Sequence, residues 1–62
     1  MGYISNSTHK IGDWVKTKKV HSSLTGKFTK GSLVQIVDVD PVRGYAIQDK
    51  EGNFMCEIGW EI

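Results

Sequence analysis

Cysteine, proline and long apolar runs are nearly absent from this chain of 62 residues. Cys56 is the single cysteine, so the chain cannot form an internal disulfide, and a lone thiol fits a reducing compartment. No stretch approaches the roughly 20 apolar residues that a membrane-spanning helix needs. Residues 1–10 contain no apolar segment long enough for a signal peptide. Together these absences predict a cytoplasmic protein with no membrane partner.

The length allows one domain with one small core. A chain this short buries only about 60% of the surface that it exposes when unfolded, so its stability is marginal. Residues 1–10 are polar and rich in serine, threonine and asparagine, and we predict a flexible N-terminal arm there. The strand-like runs all fall within residues 11–62, where we predict the folded domain.

Charge is nearly balanced in sum, at a formal +1, but unevenly placed. Residues 1–31 contain six lysines against Asp13, a net charge of +5. Residues 32–62 contain Arg43 and Lys50 against six acids, a net charge of −4. This asymmetry is compatible with one basic and one acidic face. More simply, it fits two halves that interleave in the fold, with charges that pair or are solvated.

Short apolar runs separated by turn residues indicate β-strands. The strongest run is L-V-Q-I-V-D-V, in which Val34 and Ile36 point to one face. Leu33, Val37 and Val39 point to the other face. A strand with two apolar faces is central to a fold, or is covered by another part of the protein or by a partner. Further strands are predicted at 14–20, 45–48 and 54–58, with a loop at 21–26, turns at 40–44 and 49–52, and one helical turn at 59–62.

From this pattern we predict an all-β fold, a small five-stranded and partly open antiparallel barrel with a short helical turn near the C-terminus. Cys56 is interpreted as a small buried hydrophobe, whose burial blunts its reactivity. The predicted core residues share one face of each strand, and they are Val15, Phe28, Val34, Ile36, Ile47, Phe54, Cys56 and Ile58.

Several turn and strand motifs resemble those of the Src-homology-three-like barrels. They are F-T-K-G-S-L-V-Q-I-V-D-V-D, then R-G-Y-A-I-Q-D, then E-G and a short terminal turn, and they cover about residues 12–62. The resemblance implies the barrel fold. The first strand reads W-V-K-T-K where peptide-binding members carry an A-L-Y-D-Y-type motif, which argues against binding of proline-rich peptides.

Shorter motifs are similar to those of related barrels. I-G-D-W-V-K-T-K resembles the opening of KOW-type barrels, several of which bind nucleic acid. K-G-S-L-V-Q-I-V and G-W resemble elements of bacterial cell-wall-binding barrels, a function that requires export. The chain also looks like the small stand-alone barrels of bacteria and prophages, which often have no assigned function.

Residues suited to enzyme chemistry are sparse, and we predict a protein that is not an enzyme and uses no cofactor. Cys56 and His21 are the one nominal pair of nucleophile and base. Together with His9, they show no metal-ligand spacing, so no metal is predicted. Asp38 and Asp40 share one strand face, where paired carboxylates can act in acid–base chemistry or bind calcium. More often such a pair marks a solvated strand end.

Two function hypotheses follow. The first is a non-enzymatic protein-interaction module that contacts an unknown protein or a second copy of itself. The second is a KOW-like nucleic-acid-binding barrel that holds phosphates with lysines and stacks bases on an exposed ring, although its isoelectric point of 7.9 lies below the value of about 9 typical of such proteins. Candidate protein-contact residues are Trp14, Leu33, Val37, Val39, Tyr45 and Trp60. Candidate nucleic-acid-binding residues are Lys16, Lys18, Lys19, Lys27 and Lys30.

Overall fold

The computed structural model describes residues 9–24 and 26–62, which form six short β-strands and contain no helix. The all-β prediction is thereby confirmed. The first eight residues of the predicted arm lie outside the described residues. The strands are β1 (Trp14–Lys16), β2 (His21–Ser23), β3 (Gly26–Phe28), β4 (Leu33–Asp40), β5 (Gly44–Gln48) and β6 (Phe54–Met55).

The strands form two antiparallel sheets. Four of them make the larger sheet in the order β1-β4-β5-β6, and β2 pairs with β3 in a separate hairpin. The described residues therefore contain one strand more than we predicted, and they do not close into a barrel.

The β2–β3 hairpin occupies the segment where we predicted a loop. His21 and Phe28 lie opposite each other in this hairpin, and both are buried. The Nε2–H of His21 donates to the main-chain oxygen of Ile62 over 2.6 Å. Serine, glycine and lysine fill the strand positions between them, so the strands contain no apolar run and the sequence pattern did not indicate this hairpin.

The core lies on the inner face of the larger sheet and is completed by Phe28 from the hairpin. The prediction was wrong for Phe54 and Cys56, which are exposed. The buried apolar cluster consists of Phe28, Val34, Ile36, Tyr45, Ile47, Met55 and Ile62, with Val15, Val39, Ile58 and Trp60 packed at its margin.

In the last strand, the face that points toward the core is the one that we predicted to point outward. Met55 pairs with Ile47 and faces the core, which places Phe54 on the outer face. The strand ends at Met55, and Glu57 adopts a positive φ of 57°. The regular alternation of side chains does not continue through this segment, and Cys56 is exposed rather than buried.

A bulge in β4 changes which of its residues face the core. The pairing of β4 with β5 shifts between Ile36 and Asp38, which leaves Val37 as the extra residue. One extra residue exchanges the two faces of a strand beyond it. Val39 therefore packs against the core, and its predicted place on the same face as Leu33 was wrong.

The chain beyond β6 runs beside β5 instead of forming the predicted helical turn, which was wrong. Gly44 and Gly59 form a parallel bridge. The Tyr45 N–H donates to the Gly59 oxygen, and the Gly59 N–H donates to the Arg43 oxygen, both over 3.0 Å. Gly44 has a φ of +94°, and a Cβ atom there would overlap the main chain of Gly59. Glycine is needed at position 44 both for this dihedral angle and for the close approach.

Candidate functional site

Strand β1 lies at one edge of the larger sheet and pairs with β4. In an antiparallel pair, the main-chain groups of successive residues point to alternate sides of the strand. The Asp13 oxygen and the Thr17 N–H bond toward β4, so the main-chain groups of Trp14 and Lys16 point away from it. Among the described residues, none forms a hydrogen bond with the main chain of Trp14 or Lys16. Within the described part of the chain, the edge of β1 thus presents donors and acceptors that have no partner.

Thr17 fixes the end of β1 against the turn that precedes β4. Its main chain donates to the Ser32 oxygen over 2.9 Å and accepts from the Gly31 N–H over 2.8 Å. Its buried hydroxyl donates to the Thr29 oxygen over 2.7 Å and accepts from the Ser32 N–H over 3.0 Å. These four bonds set the direction in which the chain leaves β1.

A groove of about 690 Å³ runs beside this edge. It lies between β1 with the residues that follow it and the C-terminal segment of the domain. Three of the five candidate lysines line it together with one candidate tryptophan. Its lining residues are His9, Val15, Lys16, Lys18, Lys19, Trp60, Glu61 and Ile62.

Trp60 is held in the groove by Tyr45 beneath it. The two rings meet edge to face with centroids 5.3 Å apart. The Tyr45 hydroxyl accepts the His9 N–H over 3.1 Å, and the His9 ring lies 5.6 Å from the Tyr45 ring. Tyr45 is fully buried, so it supports the site from below and does not itself form an exposed contact surface.

The groove is positively charged along its β1 side. Lys19 forms an exposed ion pair with Glu61, with Nζ and Oε1 3.4 Å apart. Within the described part of the chain, Lys16 and Lys18 have no ion-pair partner. The Lys18 N–H donates to the Ile62 oxygen over 2.9 Å, which joins the two sides of the groove. Three lysine side chains thus line the groove, against one acidic side chain, that of Glu61.

The outer face of the larger sheet adjoins this edge and carries a row of four side chains. Trp14 pairs with Gln35, Gln35 with Gln48, and Gln48 with Phe54. Cross-strand partners share one face of a sheet. Trp14 is 47% and Phe54 is 53% exposed, and Leu33 on the same face is 42% exposed. Two aromatic rings therefore flank a pair of amide side chains on the solvent side.

The structure places the remaining candidate residues elsewhere. Lys27 lies on β3, and Lys30 lies in the turn before β4, both outside the groove lining. Val37 is half-buried in the bulge, and Val39 packs against the core. The structure therefore brings together only part of the predicted apolar face and only part of the predicted set of lysines.

No pattern in the sequence pointed to three of the groove residues, His9, Glu61 and Ile62. They reach the site through contacts with residues more than 30 positions away, such as the bonds from His9 to Tyr45 and from Lys18 to Ile62. We predicted that Phe54 lies in the core. Because neighbouring residues of a strand face opposite sides, taking Met55 as the inward residue would have placed Phe54 on the outer face.

Of the two paired carboxylates, Asp40 holds the β4–β5 turn. Its Oδ1 accepts the N–H groups of Arg43 over 2.9 Å and of Val42 over 2.8 Å. These bonds keep the pKa of Asp40 below its ordinary value, and the bond from Arg43 has the largest effect. The Asp38 carboxylate accepts the N–H of Val39 over 2.9 Å. Both carboxylates thus make local main-chain bonds.

The carboxylate of Asp49 organises the turn between β5 and β6. It accepts the Asn53 side-chain amide over 2.9 Å and the N–H groups of Asn53 and Glu51. The side-chain bond from Asn53 is the main reason that the pKa of Asp49 lies below its ordinary value. In residues 9–24 and 26–62, no cluster of three or more histidine, cysteine, aspartate or glutamate side chains has the arrangement of a metal site.

Comparison with known proteins returns no match: no protein-family model, no curated protein and no solved structure is similar to the chain. Among the described residues, no helix is long and apolar enough to span a membrane. The edge of β1 and the groove beside it are therefore the features from which we infer a function.

Proposed function

We propose that this protein is a non-enzymatic protein-interaction module whose partner binds at the edge of β1 and in the adjoining groove. The observation that carries this proposal is the main chain of Trp14 and Lys16, which opens beside Trp60 and has no hydrogen-bond partner in residues 9–24 and 26–62. Folded proteins normally protect a sheet edge with a neighbouring element or with charge, because an open edge pairs with other chains. An edge that is open and flanked by two tryptophans is suited to a specific contact.

The aromatic side chains also support the proposal of a protein-interaction module. Tryptophan is enriched among the residues that contribute most to protein–protein affinity. The Trp14 ring is nearly half exposed on the outer side of β1, and Trp60 lines the groove on the other side. A partner at the β1 edge can therefore contact both rings.

Nucleic-acid binding is the second candidate, and the convergence of Lys16, Lys18 and Lys19 beside Trp60 favours it. Phosphate contacts and ring stacking would follow from such a groove. Lys27 and Lys30 do not join this set, however. The open N–H groups of β1 could donate to phosphates, but its open main-chain oxygens would find no donor on a phosphate group. A protein partner uses all the features of the site.

The proposal retains a Src-homology-three-like fold and a role in the cytoplasm of a bacterium or its prophage. Support for the fold comes from the Lys30–Gly31 turn before β4 and from the Arg43–Gly44 step that opens β5. Support for the compartment comes from the lone cysteine. The absence of enzyme activity stays a prediction.

Site-specific cross-linking in the cells that make the protein tests this function. Lys18 is replaced by the photoreactive residue p-benzoylphenylalanine, and Val42, which is 82% exposed in the β4–β5 turn, is replaced likewise as the control. We expect a discrete protein adduct from position 18, its loss when Lys16→Glu is added, and none from position 42. Nucleic-acid adducts from position 18, or protein adducts of equal yield from both positions, would contradict the proposal.

A further inference from the structure

We infer that the partner contributes an extended acidic segment that pairs with β1 as an additional antiparallel strand. This inference rests on the proposed function and names the class of segment that the site accepts. It follows from three features of the β1 edge, namely its free main-chain groups, the direction of its side chains and the charge of the groove.

The main chain of β1 supplies the hydrogen bonds for strand addition. Trp14 and Lys16 each offer one N–H and one oxygen on the side away from β4. A partner strand that pairs antiparallel to β1 forms bonds at the residues opposite Trp14 and Lys16, whereas its residue opposite Val15 turns its main chain away. Such pairing gives affinity through the main chain and specificity through alternate side chains.

The side chains of β1 define the sequence of the added strand. Residues directly opposite each other in an antiparallel pair share a face, so the residue opposite Lys16 is acidic and the one opposite Trp14 is aromatic or apolar. The residue opposite Val15 points toward the groove side, where Val15 and Trp60 favour a small apolar side chain. An antiparallel strand therefore reads acidic, apolar, aromatic from its N-terminal end.

The bond between Lys18 and Ile62 limits the length of the paired region. The Lys18 N–H is already bonded to the Ile62 oxygen, so strand pairing stops before position 18. The side chains of Lys18 and Lys19 still line the groove there. Acidic residues that precede the paired segment in the partner lie within reach of these two lysines and add charge complementarity without further pairing.

Synthetic peptides test the inference on the full-length protein. The parent peptide Asp-Asp-Glu-Val-Phe-Ser is designed to place its glutamate opposite Lys16, its valine opposite Val15 and its phenylalanine opposite Trp14. Two versions carry a methyl group on the main-chain nitrogen of the glutamate or of the phenylalanine, and a matched control carries it on the valine. A further version replaces the three acids by lysine. Binding is followed by backbone amide NMR shifts and by calorimetry.

We expect the parent peptide to shift the amides of Trp14 and Lys16, since these groups form the new bonds. Methylation at the glutamate or the phenylalanine weakens binding about fivefold, because each removes one hydrogen bond. Methylation at the valine changes affinity less than twofold, because that nitrogen faces away from β1. The lysine version binds about tenfold more weakly, because three favourable charge contacts become repulsive.

Four results would overturn the inference. Equal sensitivity to methylation at valine and glutamate would show that no strand is added. Shifts at Trp14 and Lys16 that appear on raising the concentration of the protein alone would assign the edge to a second copy, and stronger shifts with a mixed-sequence oligonucleotide would assign it to nucleic acid. Absence of peptide binding at millimolar concentration, with a specific protein adduct from position 18, would reject this segment class and leave the proposed function standing.

Discussion

Strands β5 and β1 of the same sheet have opposite surroundings. Four of the five residues of β5 are buried, and β5 is paired along both sides, with β4 on one and with β6 and Gly59 on the other. None of the three residues of β1 is fully buried, and β1 is paired on one side among the described residues. The sheet thus has a closed centre and an open edge.

This difference separates the residues that hold the fold from those available for binding. Every buried side-chain nitrogen and oxygen of the described residues has a hydrogen-bond partner, so the interior leaves no polar group for a ligand. The main-chain groups that have no partner among the described residues lie instead on β1, at Trp14 and Lys16. Changes in β5 should therefore reduce stability, and changes of exposed residues on β1 should reduce binding.

Gly44→Ala is expected to have the largest effect on stability. The new methyl group would overlap the Gly59 main chain, and alanine disfavours the φ of +94° at this position. We expect a loss of about 3 kcal/mol or more in the free energy of unfolding, measured by urea denaturation. Such a loss approaches the whole stability of a domain this small.

Gly52→Ala is the matched control for that change. Gly52 also has a positive φ, of +92°, but a Cβ atom there would meet nothing within 4 Å. We expect a loss of about 1 kcal/mol from the dihedral angle alone. Equal losses for the two variants would show that the contact between Gly44 and Gly59 does not lock the centre of the sheet.

Thr17→Val probes the boundary between the two regions. Valine keeps the shape of the side chain but removes the hydroxyl that bonds the Thr29 oxygen and the Ser32 N–H. We expect a loss of about 1 to 2 kcal/mol in the free energy of unfolding, since two polar groups lose a partner. Thr29→Val, at an exposed position, should change stability by less than about 0.5 kcal/mol. An unchanged free energy of unfolding in Thr17→Val would mean that this side chain does not fix the end of β1.

Asp40→Asn has the smallest expected effect, and it depends on pH. Because the pKa of folded Asp40 lies below the ordinary value of 3.8, its carboxylate contributes stability above that value. This contribution is lost as the pH falls through the folded pKa. The original chain should therefore lose more stability than the variant between neutral pH and the acid range, as followed by thermal unfolding.

Asp38→Asn serves as the control for removing one negative charge. Asp38 accepts one main-chain N–H, from Val39, where Asp40 accepts two, from Arg43 and Val42. Since an asparagine oxygen still accepts such bonds, the difference between the two variants reports how much the negative charge of Asp40 strengthens them. Identical pH profiles would indicate that the β4–β5 turn does not depend on this carboxylate.

The centre of the sheet was more predictable from the sequence than its edges. The alternation of Val34 and Ile36, and the turn residues before Gly44, correctly placed β4 and β5 with Ile47 in the core. Turn chemistry and alternation are local signals, and local signals are strong where a strand is long. They cannot reveal the bulge at Val37, which depends on how β4 pairs with β5.

The candidate site was predicted in part. Trp14, Trp60 and three of the lysines were proposed as contact residues from the sequence, under two different hypotheses, and the structure brings them to one edge. The groove itself required the bond between Lys18 and Ile62, two residues far apart in the chain. No local pattern encodes such a contact, so the open edge became apparent in the structure alone.

Whether the edge of β1 is open can be measured by NMR, from the amide hydrogen exchange of β1 in the free protein and in its complex with the acidic peptide. We expect the Val15 amide to be protected in the free protein, while those of Trp14 and Lys16 exchange rapidly and become protected when the peptide binds. Protection of Trp14 and Lys16 in the free protein, equal to that of Val15, would contradict the claim, because the edge would then already be paired.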